Sequence, residues 1–156
     1  MADDTQDDTQ DDTQDDTQEE SGHRTVPHTA DVRIEAWGAS REQCLAEAVL
    51  GMVGCFADVS GARPTAVRQV ELAAAADDDL LIASLDEVIY RLEVHGEVPV
   101  DVETEATDDG GLDIRLAVTD LAAVRVTGAT PKAVSWSDVH LAPGPYGWSC
   151  AVTVDV

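Results

Sequence analysis

Asp31, Asp155 and Val156 are the residues of this chain from which chemistry can be built. Two carboxylates and an oxygen from the last residue make a set of hard oxygen donors. Calcium, magnesium and manganese favour such donors, whereas zinc and copper ask for the Cys or His that this set lacks. Asp31 follows Thr29-Ala30 at the mouth of an alternation, Val32, Ile34 and Ala36 against Arg33 and Glu35. That alternation reads as a half-buried strand. A carboxylate in that place needs a cation, backbone N–H groups or water. The plainer alternative is an Asx-type cap on its own backbone. Near the other end, Trp148, Cys150, Val152 and Val154 share one phase of a strand, while Ser149, Thr153 and Asp155 share the other. Asp155 is therefore on the polar phase, beside the Val156 carboxylate. The set forms only if the first and last strands lie side by side; chain ends are otherwise simply solvated.

Other chemistry-bearing residues are scattered. No GxSxG elbow, P-loop or GxGxxG occurs. His28, His95 and His140 are isolated in sequence, which suits surface or hydrogen-bonded structural roles. Cys44, Cys55 and Cys150 show neither CxxC pairing nor a His at zinc spacing. They read as small core residues in a reducing compartment.

The elements that must position the acidic residues are legible from periodicity. The first strand ends near Trp37-Gly38. Ser40 with Gln43 makes a capping box, and Leu45, Ala48, Val49, Met52, Val53 and Phe56 give the following helix one apolar face. Gly61 and Pro64 close that segment, and Val70, Leu72 and Ala74 suggest a second strand. Asp77-Asp78-Asp79 opens a second helix at its positive end. Leu81, Leu85, Val88, Ile89 and Leu92 form its buried face, and Gly96 stops it. Two alternating runs, Val98 to Val102 and Leu112 to Val118, are joined by the turn Asp108-Asp109-Gly110-Gly111. A short strand follows near Val124–Val126. A last hairpin is expected to pair residues 132–136 with 148–154 through a connection at 142–147. The class this implies is α+β: a single domain with one mainly antiparallel sheet and two helices on it.

Ahead of the patterned region, Asp-Asp-Thr-Gln repeats four times to Gln18. With no apolar residue to bury, residues 1–22 are expected to form a disordered acidic tail and residues 23–156 the folded domain. The chain carries 32 acidic and nine basic residues, a formal net charge of -23. Such a surface repels phosphate backbones, so tight direct binding of nucleic acid is not expected. No apolar run approaches the roughly 20 residues that span a bilayer. The acidic start is unlike a signal or transit peptide, and a cytoplasmic location is expected.

His28-Thr29-Ala30-Asp31-Val32 resembles the opening motif of the archease family. The similarity continues through Gly38 and Ala48-Val49-Leu50-Gly51-Met52, then Asp79-Leu80-Leu81 and Glu87-Val88-Ile89-Tyr90. It resumes at Lys132-Ala133-Val134 and ends at Trp148 and Val152-Thr153-Val154-Asp155-Val156. It covers about residues 25 to 156; the Asp-Asp-Thr-Gln tail lies outside it. The resemblance implies an accessory protein of RtcB-type RNA ligases, which join RNA ends in tRNA splicing and RNA repair. Such a protein promotes guanylylation of the ligase and restores its turnover without being a catalyst itself. By resemblance, Asp31 and Asp155 match the metal-binding carboxylates. Val156 matches a terminal aliphatic position that contributes a backbone or terminal oxygen. Calcium is the ion implied, with magnesium or manganese as alternatives. Two rival readings use the same residues: a metal-dependent hydrolase or phosphotransferase, and a chaperone-like module for an RNA-modifying enzyme.

Overall fold

The computed structural model describes residues 20–27, 31–73 and 75–156. Most of the expected tail, the His28-Thr29-Ala30 part of the opening motif and Ala74 lie outside those residues. In chain order the elements are β1 (Gly22–Pro27), β2 (Asp31–Gly38), α1 (Arg41–Gly54), β3 (Ala57–Asp58), β4 (Ala66–Leu72) and α2 (Asp77–His95). There follow β5 (Glu97–Ala106), β6 (Leu112–Asp120), a 3-10 turn (Leu121–Ala123), β7 (Arg125–Val126), β8 (Ala133–Val134), β9 (His140–Gly144) and β10 (Gly147–Asp155). Among the described residues, two helices with antiparallel strand pairing make this an α+β fold.

The helices form where capping and periodicity place them. The Ser40 hydroxyl accepts from the Gln43 N–H at 3.0 Å, and the Ala39 N–H donates to the Gln43 side chain at 3.0 Å. This reciprocal box satisfies two donors that the start of α1 would otherwise leave bare. Leu45, Ala48, Val49, Met52, Val53 and Phe56 are all buried. Three aspartates occupy the first turn of α2, and its end is capped by Gly96 in the left-handed region at φ 63. Leu81, Leu85, Val88, Ile89 and Leu92 face the core as their spacing predicts. Ser84 is buried among them, and its hydroxyl donates to the Leu80 carbonyl at 2.7 Å.

The strands divide differently from the expected single sheet. One sheet runs β1-β2-β10-β8 with β9 also on β10; a second is β4-β6-β5; β3 and β7 form a two-stranded piece. α1 packs on β1, β2 and β10 of the first sheet and on β5 of the second. α2 touches β8 and β9 of the first and β4 and β5 of the second. The helices thus lie against strands of both larger sheets, and each sheet covers apolar helix surface that the other leaves bare. Ile34, Ala36, Val152 and Val154 share one core with Leu112, Ile114, Leu116 and Val118. Among the described residues, no helix is long and apolar enough to cross a membrane.

Three local expectations are corrected. Asp31 does not open the first strand, because β1 precedes it and pairs along β2 from Gly22↔Trp37 to Pro27↔Val32. β1 carries little apolar patterning; it is held by the ladder, by a His23–Glu47 hydrogen bond and by an Arg24–Glu35 ion pair, each at 2.7 Å. The last hairpin is also narrower. Only Ala133 and Val134 of the expected first arm pair with β10, opposite Asp155 and Val154. Residues 142–144, expected in the connection, belong instead to β9 opposite Gly147–Ser149. Pro143 is tolerated there because the far side of β9 is an edge that needs no ladder donor. On that edge the Leu141 N–H donates to Asp78 at the start of α2, at 2.8 Å. Finally, Val100 is an extra residue between Pro99 and Asp101, where the register of β5 shifts.

Candidate functional site

β2 and β10 are central neighbours of the five-stranded sheet, and their register runs from Trp148↔Gly38 to Asp155↔Asp31. Even-numbered Ile34, Ala36, Cys150, Val152 and Val154 point into the core. Asp31, Arg33, Glu35 and Trp37 are half-buried on the opposite phase, with Ser149, Thr153 and Asp155 beside them. Directly opposed residues of an antiparallel ladder project to the same side, with Cβ atoms about 4.5–5.5 Å apart. The two acidic residues singled out from sequence therefore stand on the last rung of the ladder, side chains on one face. Val156 follows immediately and is half-buried.

The surroundings pin this rung. The Lys132 N–H donates to the Asp155 carbonyl at 2.8 Å, and Ser135 donates to Thr153 at 2.8 Å. The end of β10 is thereby held from the β8 side, opposite β2. Lys132, the only lysine of the chain, is exposed next to the acidic rung. No local pattern links it to Asp155; the link is made by the β8 register. Arg33 is two residues from Asp31, yet its guanidinium turns to Glu35 at 3.4 Å, which Arg24 also holds at 2.7 Å. Burial works to raise the Glu35 carboxyl, but the two arginines outweigh it and hold the group below its ordinary value. Arg33 and Arg24 are thus engaged with Glu35.

The donor set at the rung is two carboxylates plus main-chain oxygen. Among the described residues, no three His, Cys, Asp or Glu side chains gather in a metal-holding group. Any ion at the rung would have to complete its shell with carbonyl or terminal oxygens and water, as calcium and magnesium readily do.

The remaining candidates lie elsewhere. The Cys44 thiol donates to the Ala36 carbonyl at 3.6 Å, and Cys150 is the ladder partner of Ala36. Both cysteines are buried. The Cys44 thiol is pushed up by its hydrogen bond to Cys150 and by burial, and burial pushes Cys55 up to about 11. High thiol values oppose nucleophilic or ligand chemistry. His95 lies 3.3 Å from the Tyr90 hydroxyl on α2, and His140 is exposed on β9. His28 lies outside the described residues.

Residues 23–156 match the Archease protein family (MTH1598/TM1083). A Mycobacterium tuberculosis protein named "Probable protein archease" is 50% identical over 136 residues, covering 87% of this chain and 75% of that one. A protein archease of Methanosarcina barkeri is 24% identical over 134 residues, 83% of this chain and 92% of its own length. Among solved structures, that of Methanobacterium thermoautotrophicum protein 1598 superposes with a TM-score of 0.67 at 20% identity, covering 86% of this chain and 99% of that one. The crystal structure of a Thermotoga maritima archease, described as a possible chaperone, gives 0.61 at 16% identity, covering 84% and 94%. At these identities the two structures speak for the fold.

Proposed function

The chain belongs to the archease family, and on that premise we propose that it is a metal-binding accessory protein that activates an RtcB-type RNA ligase. It promotes guanylylation and turnover of the ligase in tRNA splicing or RNA repair, in the cytoplasm, and is not itself the catalyst. The observation that carries the reading is the Asp31↔Asp155 rung. Two carboxylates opposed on one face repel each other. A divalent cation relieves that repulsion; hard oxygen donors suit calcium, magnesium and manganese, and the family resemblance makes calcium the first choice. Asp31 and Asp155 would hold the ion, and Val156 would add an oxygen. The ion would supply a concentrated positive charge at an exposed end of the sheet.

The chain's own residues support an accessory role. The backbone bonds from Lys132 and Ser135 hold the last residues of β10, so the rung is presented on a sheet strand. The net charge of -23 leaves RNA to be held by the partner. The Thermotoga protein's description as a possible chaperone is consistent with action through another protein.

The test is guanylylation of the cognate ligase with labelled GTP, with and without this protein. Asp31→Asn and Asp155→Asn should each lose stimulation and calcium binding by calorimetry while still folding with a single cooperative melting transition. Full stimulation by both variants would remove the rung from the mechanism.

A further inference from the structure

The opposite end of the β2–β10 ladder carries a different kind of surface. Gly38 and Trp148 are seven residues along from the acidic rung, about 23 Å at the rise of a strand. There Trp37, Tyr146 and Trp148 are among the residues that line an open cleft of about 470 Å3, and Glu20 lines it too. The chain has only six aromatic residues, three Trp, two Tyr and one Phe, so half of them meet at this one place. Tyr146 sits at the tip of the β9–β10 turn and is 97% exposed. A ring so placed contributes nothing to the core.

The turn beside the cleft lies close on β2. Gly147 adopts φ +129, and a Cβ there would fall 2.6 Å from the Gly38 carbonyl. A side chain at this position would force the turn away from β2. The turn is therefore held against β2.

We infer that this cleft receives a cationic side chain, arginine or lysine, from a basic segment of a partner protein. Aromatic faces attract cations, and a carboxylate at the wall completes the match. The molecule already contains one such contact: the Arg24 guanidinium lies 5.6 Å from the centre of the Trp37 ring. Charge complementarity selects the occupant, since a chain of net charge -23 favours basic polypeptide over nucleic acid. The chain's own first twenty residues hold no Lys, Arg or His, so they have no cationic side chain to offer. A second copy, equally acidic, would be repelled. The cleft is remote from the acidic rung and does not depend on the metal reading.

The experiment titrates the full chain with a capped Gly-Arg-Gly-Arg-Gly peptide at 150 mM salt, which damps generic attraction to the acidic surface. Binding is followed by NMR of the three indole N–H groups and compared with a citrulline peptide of the same length. The Trp37 and Trp148 signals should move on addition of the arginine peptide while Trp136 stays in place. Tyr146→Ala, which alters no charge and removes an exposed ring, should weaken binding by roughly 2- to 5-fold, the scale of an exposed cation–π contact. Glu20→Gln should weaken it further. Equal affinity for the citrulline peptide, unchanged affinity in Tyr146→Ala, or movement confined to Trp136 would each overturn the assignment. Tighter binding of a single-stranded oligonucleotide than of the arginine peptide would also overturn it.

Discussion

Asp31 and Asp155 are ladder partners at the end of the β2–β10 pairing, the only rung of that pairing in which both residues are acidic. Like charges directly opposed on a sheet cost stability, by about 0.2–1 kcal/mol on the scale of cross-strand pairs. A sheet therefore tolerates this rung at a small cost, which a cation can offset.

Removing one of the two charges is accordingly expected to stabilise the metal-free protein slightly. Asp155→Asn should raise the melting temperature in a chelating buffer and abolish the further rise that millimolar calcium gives the parent. Scanning calorimetry with and without chelator checks both halves. A calcium shift that survives in Asp155→Asn would show that the ion binds elsewhere.

Acid stability should depend on Glu97. Arg68 donates to its carboxylate from two nitrogens, the closest at 2.6 Å, and Arg91 lies 4.0 Å away. The Arg68 hydrogen bond outweighs burial and holds the carboxyl below its ordinary value of 4.5. A carboxyl lowered in the folded state binds protons more readily when unfolded. Its stabilising contribution is complete above about pH 4.5 and is lost as pH falls through the lowered value. Urea midpoints between pH 6 and 3 should fall less steeply in Glu97→Gln than in the parent; parallel curves would count against the pair.

Gly147→Ala should destabilise far more than an exposed turn substitution. The left-handed backbone at φ +129 and the 2.6 Å approach to the Gly38 carbonyl both resist a Cβ. A loss of about 1–3 kcal/mol is expected for such a strained position, measured by denaturant unfolding. Gly54→Ala, where a Cβ meets nothing within 4 Å, is the control and should be neutral or mildly stabilising.

Thiol reactivity should separate the three cysteines. Cys55, partly exposed with its thiol at about 11, should react slowly with a disulfide reagent in the native state. Cys44 and Cys150 should react only on unfolding, because both are buried. Three thiols reacting at one native rate would contradict the packing of α1 on β10.

Local periodicity and capping encode the helices and the nearest turns. Ser40 with Gln43, the 3/4 spacing of Leu45 to Phe56 and the Asp77–Asp79 start located both helices before any fold was known. The run Asp108-Asp109-Gly110-Gly111 located the β5–β6 turn, because neighbours in sequence make that contact. Alternation also assigned Asp155 to the polar phase of its strand. Alternation tells a strand which face a residue takes; it does not name the neighbouring strand or the rung. Tertiary structure alone decided that Asp155 meets Asp31, that β8 and β9 share one edge of β10, and that the polar Gly22–Pro27 segment forms β1. These are non-local pairings, selected by which strands bury the most helix surface together and satisfy each other's backbone groups. The same holds for the cleft lined by Trp37, Tyr146 and Trp148: Trp37 is 109 or more residues from the other two in sequence, and only the β2–β10 register brings them to one place.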